Sequence, residues 1–316
     1  MKEIGGYFAL ELNVFNNMPN ADGILLNTGR NALEYVLRSI PSIATLYIPY
    51  FTCDVVLEPL KKLGINFAFY HINEMLEISS VLSLKADEYI LYTNYFGIKD
   101  KYVSQLDSEY GDKLIVDNAQ ALYARPTSKC VFSPRKFVGI PDGGIAFTNI
   151  QLADHIVNKD ESYERCSHLL MRIDQSASIG YSEFRENSKK LRNQPIKSTS
   201  SLTKALISNV DFDDCKQKRL RNFEYLHQSL KSSNLLAIPK LGDIACPMVY
   251  PYWVENGKML KKKLIDHKIF VATYWPNVLE WCDDSMLERT LTDDIIPIPI
   301  DQRYVLADMQ YILDKM

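Results

Sequence analysis

Asn27-Thr28-Gly29-Arg30-Asn31-Ala32-Leu33-Glu34-Tyr35-Val36-Leu37-Arg38-Ser39-Ile40 and, four residues on, Ala44-Thr45-Leu46-Tyr47-Ile48 together decide the fold class. Leu33, Val36, Leu37 and Ile40 have the i, i+3, i+4, i+7 spacing of a helix face, directly after a turn-like segment, so a helix starts near Arg30. The second run is short and continuously apolar, as a strand covered on both faces should be. Runs of the same kind recur at Phe67-Ala68-Phe69-Tyr70, Tyr89-Ile90-Leu91-Tyr92 and Leu114-Ile115-Val116, separated by helical stretches. That alternation predicts a mostly parallel sheet sandwiched by helices, with right-handed crossovers, over roughly residues 20–150. Ligands of such sheets bind beyond the carboxyl ends of the strands. The loops after Ile48, Tyr92, Val116 and Phe132 are therefore where function is sought.

Residues 151–232 read as polar and helical, and the charged runs Arg185 to Arg192 and Lys216 to Arg221 read as solvated helix faces. Beyond Pro239, Met248-Val249-Tyr250 and Ile269-Phe270-Val271 are strand-like and flank a Lys-rich helix, Lys258 to His267, which predicts a small α+β domain. The expected division is a large domain at residues 1–232, with an N-terminal arm at 1–20, and a small C-terminal domain at 233–316.

Composition narrows the function classes. With 47% hydrophobic residues and a formal charge of −3, the 316-residue chain is an ordinary globular one without the basic field that holds a nucleic-acid backbone. No apolar run approaches the ~18 residues of a spanning helix, and Met1 to Gly6 lacks the pattern of a signal peptide. A cytoplasmic protein with no membrane partner is expected. Cys53, Cys130, Cys166, Cys215, Cys246 and Cys282 include no Cys-x-x-Cys pair, so neither a zinc site nor a redox bridge is expected.

Three segments carry chemistry-bearing residues. Asp117-Asn118-Ala119-Gln120 follows a buried strand, so Asp117 is either a helix N-cap or a carboxylate held against a cationic ligand atom. Lys136 lies 19 residues later, bracketed by Phe132, Phe137, Val138 and Ile140; a lysine desolvated there would have a lowered pKa and a free amine able to form an imine with an aldehyde. Thr28-Gly29-Arg30 at a helix start offers free backbone N–H groups and the positive helix end to an anion. Ser133-x-x-Lys136 is a spacing shared with serine acyl-enzymes, but their Lys-Thr-Gly is absent, and Ser201-x-x-Lys204 repeats the spacing without context. Neither a Walker loop nor Gly-x-Gly-x-x-Gly occurs.

With these residues in place, the sequence resembles the DegT/StrS group of nucleotide-sugar aminotransferases, which are fold-type I pyridoxal-phosphate enzymes. Thr28-Gly29-Arg30-Asn31-Ala32-Leu33 is similar to the group's Ser-Gly-Thr-x-Ala-Leu, and Asp117-Asn118-Ala119-Gln120 to its Asp-x-Ala-Gln. Lys136 with Gly143-Gly144 is similar to its cofactor lysine followed by Gly-Gly. Tyr95-Phe96-Gly97 and Pro299-Ile300-Asp301-Gln302-Arg303-Tyr304 are weaker echoes.

The resemblance implies a pyridoxal 5'-phosphate enzyme that moves an amino group, from L-glutamate, to a keto group of a nucleotide-linked sugar. It implies Lys136 and Asp117 as catalytic residues. Thr28, Gly29, Arg30, Cys53, Asp117, Gln120, Ser133 and Lys136 are the implied cofactor contacts. Cys53 stands where the group has an aromatic over the cofactor ring, leaving Tyr50, Phe51 and Tyr95 as available substitutes. A homodimer with shared active sites is implied, with Gln194 to Ser201, Tyr274 and Trp275 as partner or substrate contacts and Gly5-Gly6-Tyr7-Phe8 folding over the site. The alternatives are another reaction of the same cofactor (β-elimination, desulfuration or sugar dehydration) and a cofactor-free binding protein.

Overall fold

The computed structural model describes residues 6–152 and 158–316. Seven strands form the central sheet: β1 Ile24–Leu26, β2 Thr45–Pro49, β3 Asn66–Tyr70, β4 Glu88–Thr93, β5 Leu114–Asn118, β6 Cys130–Phe132 and β7 Gly144–Phe147. Their order is β1-β7-β6-β5-β4-β2-β3. The pairs from β3 to β6 are parallel, and β7 runs antiparallel between β6 and β1.

Successive side chains of a strand point to opposite faces, and in the middle of this sheet both faces are buried. Leu91, Ile115 and Val131 pack on one side with Ala32, Val36 and Leu37 of α1 (Gly29–Arg38) and Leu60 of α2 (Leu57–Leu63). Tyr92, Val116 and Phe132 pack on the other with Val103 and Leu106 of α3 (Asp100–Tyr110). The continuously apolar runs of the sequence are thus explained by two cores separated by one sheet.

The second half is helical, as expected: α4 Ser167–Asp174 and α5 Ala177–Lys190 form a hairpin, followed by α6 Ser201–Ser208 and α7 Phe212–Leu230. The C-terminal part holds β8 Val249–Trp253, α8 Gly257–Asp266, α9 Val278–Trp281, α10 Leu287–Asp294, β9 Ile295–Pro299 and α11 Leu306–Asp314, with β8 and β9 antiparallel. Here one expectation fails. Ile269-Phe270-Val271 buries Ile269 and Val271 but forms no strand; Ile295–Pro299 pairs with β8 instead. Pro297 and Pro299 disguise that strand in the sequence, and they are tolerated because each member of a two-stranded sheet is an edge.

The arm also differs from expectation. Asn13 and Phe15 bond through their N–H groups to Asn209 and Ser208, at 2.9 and 2.8 Å, so the arm lies along the end of α6. Tyr7 and Phe8 are 98% and 92% exposed and do not cover the site within one chain; Gly5 lies outside the described residues.

Two glycines set the packing around the carboxyl ends of the strands. A Cβ on Gly144 would lie 2.2 Å from the Thr28 carbonyl oxygen, so β7 can begin flush against the loop that opens α1 only without a side chain. Gly97, at φ +70°, would bring a Cβ within 2.8 Å of the Gln120 carbonyl and 2.9 Å of the Cys246 carbonyl. Gly144→Ala should therefore lower stability by about 2 to 3 kcal/mol by forcing the Thr28 loop outward, read as a fall in urea midpoint. An unchanged midpoint would mean that the loop yields freely.

Candidate active site

Because β5 and β6 are parallel neighbours with Asn118 opposite Phe132, the segments leaving their carboxyl ends emerge side by side. The first carries Asp117 and the second Ser133 and Lys136. Asp117 caps a turn rather than a helix: its Oδ1 accepts the Ala119 N–H at 2.8 Å, which leaves Oδ2 without a hydrogen-bond partner among the described residues. Burial pushes its carboxyl above the usual range, while the Lys136 charge and the Ala119 N–H pull it back. The same lysine acts on Cys53, whose thiol burial pushes up and the Lys136 charge lowers. The Lys136 charge is thus felt by both the acid of β5 and the thiol after β2.

The expectation of a dry lysine is corrected for the single chain. Pro134–Lys136 is one tight turn in which Lys136 faces out, and Phe137 and Val138, which follow it, turn inward, 3% and 7% exposed. The apolar neighbours that suggested burial are in the core. The lysine is at the surface of the gap.

The start of α1 closes the gap from the other side. Thr28 Oγ1 accepts the Asn31 N–H at 3.0 Å and the Thr28 carbonyl accepts the Ala32 N–H at 2.9 Å, so the N–H groups of Gly29 and Arg30 precede the first bonded turn. Ser133 borders them: a Cβ on Gly29 would be 3.4 Å from Ser133 Oγ. Arg30 turns its guanidinium away, to the Leu191 carbonyl at 3.3 Å and Glu58 at 3.4 Å, and is available to an anion here through its backbone. Burial, with Arg30 beside it, lowers Arg135 to about 10.

Gln120 lies 1% exposed behind the gap. Its Oε1 accepts the Phe96 N–H at 2.8 Å, and its Nε2 has no partner among the described residues. An orphaned buried donor is costly unless a ligand satisfies it. Of the aromatics near Cys53, Phe51 is buried between Tyr95 and Trp275, at 5.6 and 4.9 Å between ring centroids, and Tyr50 stacks on Phe69 at 4.5 Å.

Gln194 to Ser201 has a structural role within its own chain. The Pro195 carbonyl accepts from Asn27 Nδ2 at 3.1 Å and from Asn31 Nδ2 at 2.7 Å, and Lys197 pairs its backbone with Asn27, so this segment braces the α1 loop. Asn27 and Asn31 were not singled out by sequence reading. The only signal was two asparagines four apart, one before the helix start and one in its first turn, which becomes legible once Pro195 is known to lie across from them. Trp275 is core, while Tyr274 packs on Phe96.

Two clefts of about 330 and 320 Å³ lie elsewhere, one including Asp160, Arg165 and Lys197 and the other including Asn256, Arg289 and Asp293. Neither includes Asp117 or Lys136. No helix of the described residues is long and apolar enough to cross a membrane.

No protein-family model and no curated protein matches the chain. Solved structures do. The chain is similar to a DegT DnrJ EryC1 StrS aminotransferase from Brucella abortus, with 16% identity and a TM-score of 0.62 over 92% of this chain and 84% of that one. It is similar to NtdA from Bacillus subtilis with bound cofactor PMP, with 12% identity and a TM-score of 0.61 over 92% and 72% of the two chains. It is also similar to DesI in the presence of its TDP-sugar product, with 11% identity and a TM-score of 0.63 over 93% and 79%. These likenesses show the fold: a mostly parallel seven-stranded sheet between helices, of the aminotransferase type.

The raised Asp117 pKa has a stability consequence with a definite sign. The folded chain holds this proton past the pH at which the unfolded chain releases it, so ionisation of Asp117 subtracts stability as pH rises through its folded pKa. Asp117→Asn should therefore raise the unfolding free energy of the cofactor-free protein at neutral pH, by roughly 1 kcal/mol or less, and the gain should vanish in acid. A variant less stable than wild type at neutral pH would contradict this.

Proposed function

We propose that the chain is a pyridoxal-phosphate-dependent aminotransferase that moves an amino group, from L-glutamate, to a keto group of a nucleotide-linked sugar. The observation that carries the reading is that the parallel neighbours β5 and β6 bring Asp117 into the field of Lys136, with Ser133 of the same loop beside the start of α1. The orphaned Gln120 Nε2 supports it, because that donor needs an acceptor supplied from outside the chain. Similarity to NtdA with bound cofactor PMP and to DesI with its TDP-sugar product supports the cofactor and substrate class.

When bound, pyridoxal phosphate supplies the electron sink that makes the α-carbon of an amino acid acidic. The protein supplies position and protons. Asp117, with Oδ2 unpaired, would hold a proton on the pyridine nitrogen as its carboxylate, the cationic ring offsetting the burial that raises its pKa in the free chain. The Lys136 amine would attach the cofactor and, once displaced, carry a proton between the donor's α-carbon and the cofactor's C4′ as general base and then acid. Gln120 Nε2 would donate to the phenolic oxygen. The Gly29 and Arg30 N–H groups, with the Thr28 and Ser133 hydroxyls, would hold the phosphate at the positive end of α1.

Cys53 would lie beside the ring where a stacked aromatic is absent. Burial holds its thiol protonated, which disfavours the desulfuration alternative, since the thiolate is the nucleophile. A second copy of the chain would cover the exposed Lys136 and the free Tyr7 and Phe8, giving a homodimer with shared sites.

Wild type mixed with pyridoxal phosphate should develop absorbance near ~420 nm and, after borohydride reduction, carry the cofactor's mass on the Lys136 peptide. Glutamate added before reduction should discharge the colour. Lys136→Ala should show no attachment and at least ~10³-fold lower transfer. Wild type that attaches no cofactor at Lys136 would end this reading.

A further inference from the structure

Arg219 lies in the charged run Lys216 to Arg221, which sequence alone assigns to a solvated face, yet in the middle of α7 it is 2% exposed. It makes no ion pair among the described residues. Its guanidinium is spent on neutral acceptors in three separate segments: Nη2 donates to the Phe137 carbonyl at 3.0 Å, Nη1 to the Met248 carbonyl at 2.9 Å and Nε to Gln302 Oε1 at 3.1 Å. The guanidinium carbon also sits 4.7 Å from the centroid of the Phe137 ring. Gln302 Nε2 donates to the same Phe137 carbonyl at 2.9 Å.

A buried guanidinium without a carboxylate partner is costly, and apolar side chains of similar size commonly stabilise a core as well or better. Packing alone does not explain why a cation stands here. What the cation holds does. The Phe137 carbonyl, in the second peptide plane after Lys136, anchors the exit of the turn, while within the turn the Lys136 N–H bonds the Ser133 carbonyl at 3.1 Å and the Phe137 N–H bonds the Pro134 carbonyl at 2.8 Å. Both sides of the Lys136 Cα are therefore pinned.

The Met248 end of Arg219 ties this to the acid. The Met248 N–H bonds the Phe96 carbonyl at 2.8 Å, and the Phe96 N–H bonds Gln120 Oε1 at 2.8 Å. Arg219 thus joins the loop of Lys136 to the turn that carries Asp117 and Gln120.

We infer that Arg219, with Gln302 as its second, is the positioning residue that aims Lys136: it locks the Phe137 carbonyl and sets the lysine's distance to the Asp117 turn. The inference rests on the proposed role of Lys136, and its test separates the two. Wild type, Arg219→Met, Arg219→Lys, Gln302→Leu and the Arg219→Met/Gln302→Leu pair would be compared for melting temperature. Pyridoxal phosphate attachment to Lys136 would be timed by borohydride trapping, and hydrogen exchange of the Lys136 to Ile140 peptide measured without cofactor.

Arg219→Met should slow attachment about 10- to 100-fold and speed exchange of that peptide, with peptides of β4 and β5 unchanged. Arg219→Lys should recover part of the rate, and Gln302→Leu should lose less. The pair should be no slower than Arg219→Met, because both act on one carbonyl. Attachment by Arg219→Met within twofold of wild type, with unchanged exchange, overturns the inference. If Arg219→Met does not fold, Gln302→Leu decides, and an unchanged rate and exchange there overturns it. Failure of wild type itself to attach the cofactor falls on the reading of Lys136 and removes the inference with it.

Discussion

The candidate site depends on the parallel pairing of β5 and β6, which brings the loop that follows an acid and the loop that carries an amine out side by side. Asp117 is the penultimate residue of β5 and Lys136 follows β6, and parallel pairing in register forces the loops beyond the two strands to emerge on the same side. An ionised acid in that position is expensive because burial raises its pKa, and the charge of Lys136 and the N–H of Ala119 lower it again. An antiparallel β6 would send Lys136 to the opposite end of the sheet. The pairing geometry is thus prior to the chemistry.

Around that pair the chain uses backbone more than side chains. The end of α1 presents N–H groups, Gly144 lets β7 abut the Thr28 carbonyl, and Gly97 lets the Gln120 turn and the Cys246 segment approach within contact distance of one backbone. Asn27 and Asn31, bonded to the Pro195 carbonyl, hold the α1 loop from behind. Side-chain positions are rigid here because close backbone contacts leave no room for alternatives. Arg219 extends the same logic, since each of its donors ends on a carbonyl or an amide oxygen rather than on a carboxylate.

The legible features were those written in local pattern. The apolar face of α1, the doubly buried strands and the turn residues Thr28-Gly29 are visible because helix and strand periods and N-caps are set by neighbours in sequence. The illegible ones involve distance along the chain. Ile269 to Val271 has strand composition but no backbone partner, whereas Ile295–Pro299, with two prolines, has one. Lys136 among aromatic neighbours read as buried, and the fold turned Phe137 inward and the lysine outward. Arg219 looked solvated because its acceptors lie 29, 82 and 83 residues away.

By itself, then, the sequence determined the elements and their α/β alternation and singled out Asp117, Lys136 and the start of α1 as candidates, since these follow from residue type and short spacing. Tertiary structure alone decided that the loops of Asp117 and Lys136 leave neighbouring strands, that Gln120 is left with an unmatched donor among the described residues and that a buried cation braces the lysine loop. Those outcomes depend on which strands pair and which carbonyls come within hydrogen-bonding distance, and that is settled only when the whole chain packs.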